Sequence, residues 1–464
     1  TTEIYTLSLH DALPIWQIGD RFDVRHNKYS RSKSLSKLKM VTLGSLCIEE
    51  PSYGTSATAI ERTNSKQPKY IRITDFNDFG IESDHEFMTA EKYSGKHFLE
   101  EGDILFARTG ASVGKTFYYY GDTGSSVFAG YCIRFRFDQE KAVRKFIYWY
   151  TKTQAYIEWV NGIQRPSGQP NINKEEYKSY SIALPSKAVQ QMWADYLDNA
   201  LTNRNSKIEE AKQLIEKSKQ LSFSTVGISF KNYSPSIFSY LRKREIDKYG
   251  IYCNPYSSYL VELFEGMSTN QWYAGHLEEF VDINPQTSKS SLTDESIVAF
   301  VPMSAVSEKL NHAEYETRTY GEVKTGFTVF QRNDLLWAKI TPCMQNGKSF
   351  LANDMPTEIG FGSTEFHVLR QKSKRIHMPY LWTLLSEQHV LKAAQGMFSG
   401  SAGQQRVPET FLKKFPIVLP PIEVQQVLSD EVFKAQTQAK LLRDEAERVL
   451  SESIKQFEQE ILGA

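Results

Sequence analysis

Two long stretches of the chain place apolar residues at the three- and four-residue steps that follow one face of a helix. The first covers residues 186–221 without Pro or Gly, and the second begins near residue 420. The first stretch has apolar positions at Ala194, Leu197, Leu201, Ile208, Ala211 and Ile215, interrupted by Arg204. The second has them at Leu428, Val432, Ala435, Ala439, Leu442, Ala446 and Val449, and continues to Phe457 and Ile461. This spacing, with its small residues, predicts two helices that pack closely as an antiparallel pair.

The segment before the first helical stretch has the pattern of strands. Residues 70–74 alternate between apolar and polar, and residues 103–107 and 132–137 are rich in branched and aromatic side chains. Residues 141–160 then carry Phe146, Tyr150 and Trp159 at helical spacing. The pattern predicts a mixed, strand-rich domain that leads into a long helix.

The sequence contains this arrangement twice. The first copy contains Ser-Ile-Ala-Leu-Pro at 181–185, followed by Val-Gln-Gln at 189–191. The second copy contains Pro-Ile-Val-Leu-Pro at 416–420, followed by Val-Gln-Gln at 424–426. Asp-Ile-Leu-Phe-Ala-Arg at 103–108, with Gly-Lys-Thr at 114–116, returns as Asp-Leu-Leu-Trp-Ala-Lys at 334–339, with Gly-Lys-Ser at 347–349. So long a period excludes a short-repeat solenoid. It predicts two copies of one module about a pseudo-two-fold axis, and duplex DNA is the commonest partner with similar symmetry.

Composition identifies a globular chain, because 40% of its 464 residues are hydrophobic and 13% are aromatic. Its 55 basic and 55 acidic residues balance, so any contact with nucleic acid has to be a local patch. One group of basic residues forms either such a patch or a solvated arm. It consists of Arg21, Arg25, Lys28, Arg31, Lys33, Lys37 and Lys39. Four widely spaced cysteines argue against a zinc site and a disulfide framework and suit a reducing cytoplasm. No run reaches the ~20 apolar residues of a membrane span.

Residues 1–15 are interpreted as a foreign leader. Their sequence resembles a translated sequencing adapter, and the chain starts at Thr1 without Met. The alternative is an ordinary N-terminal strand and turn.

Catalytic motifs are weak. Residues 109–116 resemble a P-loop, but Gly110 and Gly114 are separated by three residues where a P-loop needs four, and the second copy has Pro342 in place of the first Gly. A nucleotide-binding enzyme is therefore the weaker hypothesis. The alternatives are a surface loop that offers Lys115 and Lys348 to an anionic partner, or a plain turn. Polar, Gly-rich loops at 52–56, 167–171 and 399–406 suit recognition of base edges and phosphates, or are ordinary turns.

Several sequence features together resemble the specificity subunit of type I restriction-modification systems. They are the two Leu-Pro…Val-Gln-Gln helix starts, residues 338–348, and the sequence Phe-Gly-Ser-Thr-Glu-Phe at 361–366. The resemblance covers almost the whole chain after about Ile18. It implies an α+β fold with two mixed α/β target-recognition domains, each followed by a long helix, the helices pairing as an antiparallel coiled coil. The corresponding segments are 16–185 and 235–419 for the domains, 186–234 and 420–464 for the spacer helices, with an irregular connection at 235–270.

The resemblance also implies a non-catalytic, cytoplasmic reader of double-stranded DNA, with each domain reading half of a bipartite target. Two methylase subunits and restriction subunits would join it and would bind S-adenosylmethionine, ATP and Mg, while this chain would bind no cofactor or metal and would have no catalytic residues. Its DNA-facing residues would be Arg108, Ser112, Lys115, Gln169, Asn171, Lys339, Gln345, Asn346, Lys348, Gln404 and Arg406. A helix of roughly 36 residues is about 54 Å long, which suits half-sites about one DNA turn apart. The alternative function is a stand-alone two-domain DNA-binding protein.

Overall fold

The computed structural model describes residues 38–81, 85–121, 123–163, 170–228, 272–400 and 404–463. The contacts divide the chain into two units: unit 1 contains Thr1–Lys207 and Asp444–Ala464, and unit 2 contains Ile208–Arg443. The predicted leader, the basic residues from Arg21 to Lys37 and the connection at 235–270 lie outside the described residues. The predicted segment boundaries and the pseudo-two-fold axis stay predictions.

Unit 1 is built on a four-stranded antiparallel sheet with the order β2-β9-β6-β7. Its described strands are β1 (Met40–Thr42), β2 (Ser52–Tyr53), β3 (Ala59–Ile60), β4 (Lys69–Ile71), β5 (Thr89–Ala90), β6 (Ile104–Ala107), β7 (Thr116–Tyr118), β8 (Ser126–Phe128), β9 (Cys132–Phe135) and β10 (Ser181–Ala183). Its helices are α1 (Arg144–Tyr150), α2 (Gln154–Ile163), α3 (Lys174–Ser179) and the first part of α4 (Lys187–Thr225). All residues of β6 and β9 are buried, as their branched and aromatic side chains predict.

Unit 2 repeats this sheet with the order β12-β19-β16-β17. Its described strands are β11 (Tyr273–His276), β12 (Val281–Ile283), β13 (Ile297–Val301), β14 (Glu316–Thr319), β15 (Thr328–Gln331), β16 (Leu335–Ala338), β17 (Ser349–Leu351), β18 (Ile359–Gly362), β19 (Phe366–Gln371) and β20 (Pro416–Leu419). Its helices are α5 (Tyr320–Val323), α6 (Met378–Leu385), α7 (Gln388–Gln395), α8 (Glu409–Lys413), the last part of α4 and the first part of α9 (Ile422–Leu462). The last part of α9 belongs to unit 1. The parallel pair β13–β18 matches β4–β8 of unit 1, and β11–β20 matches β1–β10. The predicted duplication is therefore confirmed.

The strand predicted at residues 70–74 is shorter than expected. β4 ends at Ile71, because the Asp75 carboxylate accepts hydrogen bonds from the Arg72 backbone N–H (2.8 Å) and from its guanidinium (3.0 and 2.7 Å), which turns the chain. Tyr70 and Ile71 are both buried, so the alternation in the sequence does not correspond to one exposed face.

A buried ion pair ties two central strands together in each unit. The Asp103 carboxylate, just before β6, accepts from Arg136 Nε (2.8 Å) and Nη2 (3.0 Å), just after β9. The Asp334 carboxylate accepts from Arg370 Nε (2.8 Å) and Nη2 (2.6 Å) in the same arrangement. Both aspartates are 1% exposed. The repeated Asp of the sequence motif is therefore part of the framework.

The repeated Val-Gln-Gln sequence also has a structural explanation. Gln190 Nε2 donates to the Pro185 carbonyl (2.7 Å), and its Oε1 accepts from the backbone N–H of Val143, which precedes α1. Gln425 bonds to Pro420 (2.8 Å) and to the N–H of His377, which precedes α6, in the same way. Each buried Gln thus fastens the start of a long helix to the start of a domain helix.

The two long helices pair within each unit, and the pairing is antiparallel. In unit 1, the Tyr196 hydroxyl donates to Gln456 Oε1 (3.2 Å), and Lys207 forms an ion pair with Glu445 (3.0 Å). In unit 2, the Ser218 hydroxyl donates to the Glu431 carbonyl across the helices (3.2 Å). The seam side chains Ala194, Leu197, Leu201, Ala211, Ile215, Leu428, Val432, Ala435, Ala439, Ala446, Phe457 and Ile461 are buried. The predicted helix pair is confirmed.

Candidate nucleic-acid interface

The same backbone ladder forms one sheet edge in each unit. In unit 1, Arg108 N–H donates to Tyr131 O (3.0 Å), and Ile172 N–H donates to Arg108 O (2.9 Å). In unit 2, Lys339 N–H donates to Glu365 O (2.9 Å), and Val407 N–H donates to Lys339 O (2.9 Å). Arg108 is therefore equivalent to Lys339, Tyr131 to Glu365, and Asn171 to Arg406. We call these two places the reading edges, edge 1 (Arg108, Tyr131, Asn171) and edge 2 (Lys339, Glu365, Arg406).

Edge 1 combines one cation with exposed aromatic and amide groups. The Arg108 guanidinium lies over the Tyr53 ring, 4.7 Å from its centroid. Among the described residues, none accepts a hydrogen bond from its buried Nε, while Tyr131 is 62% exposed and Asn171 is exposed. The amide of Asn171 and the Tyr131 ring can thus meet a ligand directly. Gln169 lies outside the described residues.

Edge 2 is ionic. Arg406 donates from Nε (2.8 Å) and Nη2 (2.7 Å) to Glu365, and from Nη1 to the Gln404 carbonyl (3.0 Å). The hydrogen bond from Arg406 holds the pKa of Glu365 below its ordinary value. Burial lowers the pKa of Lys339, opposed by the charge of Glu365. Gln404 is exposed beside this group. The backbone N–H of Thr341 donates to the Gln405 carbonyl, and the Thr341 hydroxyl donates to Gln345 Oε1.

A buried histidine supports edge 2 from behind. His367 Nε2 bonds to the Val407 carbonyl (2.9 Å), and its Nδ1 lies 3.2 Å from Asn284 Nδ2, which also donates to Glu409 (2.9 Å). Burial lowers the pKa of His367. The sequence did not single out Asn284, Glu365 or Glu409, because their hydrogen-bond partners are distant in the chain.

The remaining candidates are tied to a neighbouring loop. Ser112 Oγ lies 3.5 Å from the Ile73 carbonyl, and Lys115 is 3.8 Å from Asp78. In unit 2, Asn346 donates to Glu308 (2.8 Å) and Lys348 Nζ donates to the Met303 carbonyl (3.1 Å). In both units these residues hold the loop that follows the parallel strand β4 or β13. The structure thus gathers Arg108 with Asn171, and Lys339 with Gln404 and Arg406. Gln345 is linked to edge 2 through Thr341. The other four, Ser112, Lys115, Asn346 and Lys348, bond to the neighbouring loop instead.

The P-loop hypothesis is wrong on geometry. A phosphate-binding loop of that class leads into a helix whose N-terminus faces the phosphate. Here Gly110–Ser112 is one short 3-10 turn, and Thr116 and Ser349 begin the strands β7 and β17. The repeated Gly-Lys pair instead turns the chain between strands, with Gly114 at φ +88° and Gly347 at φ +72°.

In the described part of the chain, no group of three or more His, Cys, Asp or Glu side chains is placed to hold a metal ion. No helix in that part combines the length and apolarity needed to cross a bilayer.

Comparison with known proteins gives consistent results. The family model of the type I restriction modification DNA specificity domain matches residues 36–217 and 270–447. Over 146 residues, 31% of this chain and 24% of the relative, the sequence is 38% identical to the Escherichia coli type I restriction enzyme EcoEI specificity subunit. Over 156 residues, 33% of this chain and 26% of the relative, it is 36% identical to the Escherichia coli EcoAI specificity subunit. The match thus spans about a quarter of each relative.

One solved structure, from a study of assembly and conformational transition of the type I R-M system, is also similar. It aligns over 92% of this chain and 97% of the other, with a TM-score of 0.43 and 15% identity.

Proposed function

This chain belongs to the type I restriction modification DNA specificity family, and from that premise we propose that it is the DNA-reading specificity subunit of a type I restriction-modification complex. Its two units read the two halves of a bipartite, asymmetric target in double-stranded DNA. One observation carries the proposal: equivalent positions of the same backbone ladder present different polar side chains, Asn171 in unit 1 and Arg406 in unit 2. Two copies of one fold with different side chains at the same edge suit two different half-sites.

The chemistry of each edge suggests how a half-site is read. An Asn amide pairs with an adenine edge through two hydrogen bonds, and an Arg guanidinium pairs with guanine in the same way. Three of the guanidinium donors of Arg406 bond to Glu365 and Gln404, which leaves the remaining N–H groups for a base or a phosphate. Glu365 then acts as a positioning residue, because it fixes the plane of that guanidinium.

The proposed partners dock on the long helices. Met192 and Val427 follow Gln191 and Gln426 of the repeated motif, and they are 55% and 61% exposed. Large apolar side chains exposed at equivalent positions suit two copies of one partner, here two methylase subunits. Restriction subunits complete the proposed complex, which works in the cytoplasm. S-adenosylmethionine, ATP and Mg are bound by those partners, and this chain supplies sequence recognition and no catalytic group.

The test is methylation sequencing of a host that expresses the chain with its neighbouring methylase, compared with the same host lacking the chain. A bipartite motif that requires the chain is the expected result. Arg406→Ala should relax one position in one half only, at a cost of about 1–3 kcal/mol in DNA binding, and Asn171→Ala should affect the other half. Arg332→Ala is the matched control, since Arg332 also pairs with a glutamate (Glu358, 2.6 Å) but lies at the other end of β16. An unchanged motif in both edge variants would refute the assignment of these readers.

A second assay separates this function from that of a stand-alone DNA-binding protein. Co-purification with the methylase is expected, and Met192→Asp combined with Val427→Asp should abolish it while DNA binding by the isolated chain persists. If the chain binds its target but never retains a methylase, the stand-alone function is correct.

A further inference from the structure

Unit 2 contains a cavity of about 520 Å³ that the proposed DNA reading does not use. It lies between the end of α4, the loop at Lys309 and the start of α7, and Arg443 of α9 also lines it. Its size falls within the range of small-molecule sites, about 300–1,000 Å³.

Positive charge predominates in the lining. Lys212, Lys219, Lys309 and Arg443 face two carboxylates, Glu216 and Glu387, of which Glu387 is bonded to His389 (3.0 Å). Lys219 is only 5% exposed, and its Nζ donates to neutral groups, the carbonyl (2.9 Å) and hydroxyl (2.8 Å) of Ser386.

Two further observations favour an anionic ligand. Among the described residues, none accepts a hydrogen bond from the buried Arg443 Nε. Burial also lowers the pKa of Lys219 to about 8, although the charges of Glu387 and Glu216 partly oppose this shift. A buried cation of this kind is stabilised by an anion that enters the cavity.

Unit 1 shows what fills the equivalent place. There the N-terminus of α2 is capped by Glu458 of α9, whose carboxylate accepts from the backbone N–H groups of Gln154 (3.1 Å) and Ala155 (2.8 Å). In unit 2, the equivalent helix is α7, and Gln388 at its start lines the cavity. Its N-cap residue, Glu387, makes no capping hydrogen bond to it.

The residue equivalent to Glu458 is Phe223. The long helices α4 and α9 align without a gap. Gln190 and Gln425 are equivalent near the start of each helix, and the same difference in residue number relates Ser218 to Ser453, which both bond across the helix pair. At this offset Phe223 of α4 stands where α9 has Glu458. Unit 2 therefore has the helix N-terminus and additional cations, but not the carboxylate that unit 1 supplies itself.

We propose that this cavity binds a small phosphate-bearing molecule, either inorganic phosphate or a phosphate monoester, at the place that the Glu458 carboxylate occupies in unit 1. Lys219 and Arg443 contact the phosphate, and the N-terminus of α7 adds its partial positive charge. A dianion suits a site with an excess of cations better than a single carboxylate does. Such a ligand would join α4, α7 and α9, so it would stabilise the helix pair in unit 2.

Calorimetric titration of the purified full chain with inorganic phosphate and with AMP tests the proposal, with thermal unfolding measured in parallel. Lys219→Met should weaken phosphate binding by about tenfold or more, because it removes a charge-assisted hydrogen bond. Lys217→Met, on the exposed side of the same helix, is the matched control and should bind like the parent. Phe223→Glu should remove binding by supplying the carboxylate, and if this buried substitution unfolds unit 2, Arg443→Gln replaces it.

Three results would overturn the inference: no binding of either compound by the parent, equal affinity in the Lys219 and Lys217 variants, or displacement of phosphate by a short DNA duplex. The last would assign the site to the DNA backbone instead of a small molecule. None of these three results depends on recognition of the DNA target. The phosphate proposal can therefore hold if the methylation test fails, and it can fail if the methylation test succeeds.

Discussion

Replacing Asp334 with Asn should destabilise unit 2 more than the equivalent change at Asp103 destabilises unit 1. Asp334 is 1% exposed and accepts two guanidinium hydrogen bonds from Arg370 and one from the Gln331 backbone N–H (2.7 Å). Asn keeps the volume but removes the charge. Among the described residues, the partners that Arg370 then retains are neutral: Thr287 Oγ1 (2.9 Å) and the Gln286 carbonyl (3.4 Å).

The expected loss of stability depends on which partners each arginine retains. Removing one partner of a buried pair costs about 3–5 kcal/mol, which is the value expected for Asp334→Asn. In unit 1, Arg136 remains paired with Glu100 (2.9 Å) and near Glu49 (3.4 Å). Asp103→Asn should therefore cost only about 1.5–3 kcal/mol, the range for hydrogen bonds to a charged group.

Hydrogen exchange is the appropriate assay, because a chain with two units need not unfold in one step. Protection of the amides in β16 should fall in Asp334→Asn while that in β6 stays unchanged, and Asp103→Asn should show the reverse with a smaller loss. Adding Arg370→Met to Asp334→Asn should recover part of the stability, since an apolar replacement of the whole pair is often nearly neutral. Equal losses in the two single variants, or unchanged protection of β16, would refute the reasoning.

Two further predictions concern the framework of the edges and helices. Gln425→Ala should destabilise unit 2 by about 1–3 kcal/mol in urea unfolding, because it removes the hydrogen bonds of Gln425 to His377 N–H and to the Pro420 and Arg375 carbonyls. Gln426→Ala, at an exposed position, is the control. Equal effects of the two substitutions would contradict the role assigned to Gln425. Burial holds the pKa of His367 below its ordinary 6.5, so the unfolded chain binds the proton first and unit 2 should lose stability as pH falls below about 6.5. His367→Gln should reduce that pH slope, and an unchanged slope would show that another group, such as His377, is responsible.

The sequence by itself determined the parts that follow from local patterns. Helical periodicity located α4 and α9, runs of branched and aromatic residues located β6 and β9, and the repeated motifs established two copies of one module and the family. Each of these signals is complete within a short window, because a helix or strand face is defined by residues a few positions apart. The exception was residues 70–74, where hydrogen bonds from Arg72 to the Asp75 carboxylate end the strand.

Only the tertiary structure decided which polar side chains remain available. The sequence grouped Lys348 with Arg406 as DNA-facing, but Lys348 donates to the carbonyl of Met303, and Arg406 is held by Glu365. Nor did it indicate that Asn171 and Arg406 occupy equivalent places. The reason is physical: a hydrogen bond depends on the distance and angle between two groups, and the fold brings these partners together from about forty residues apart in the chain.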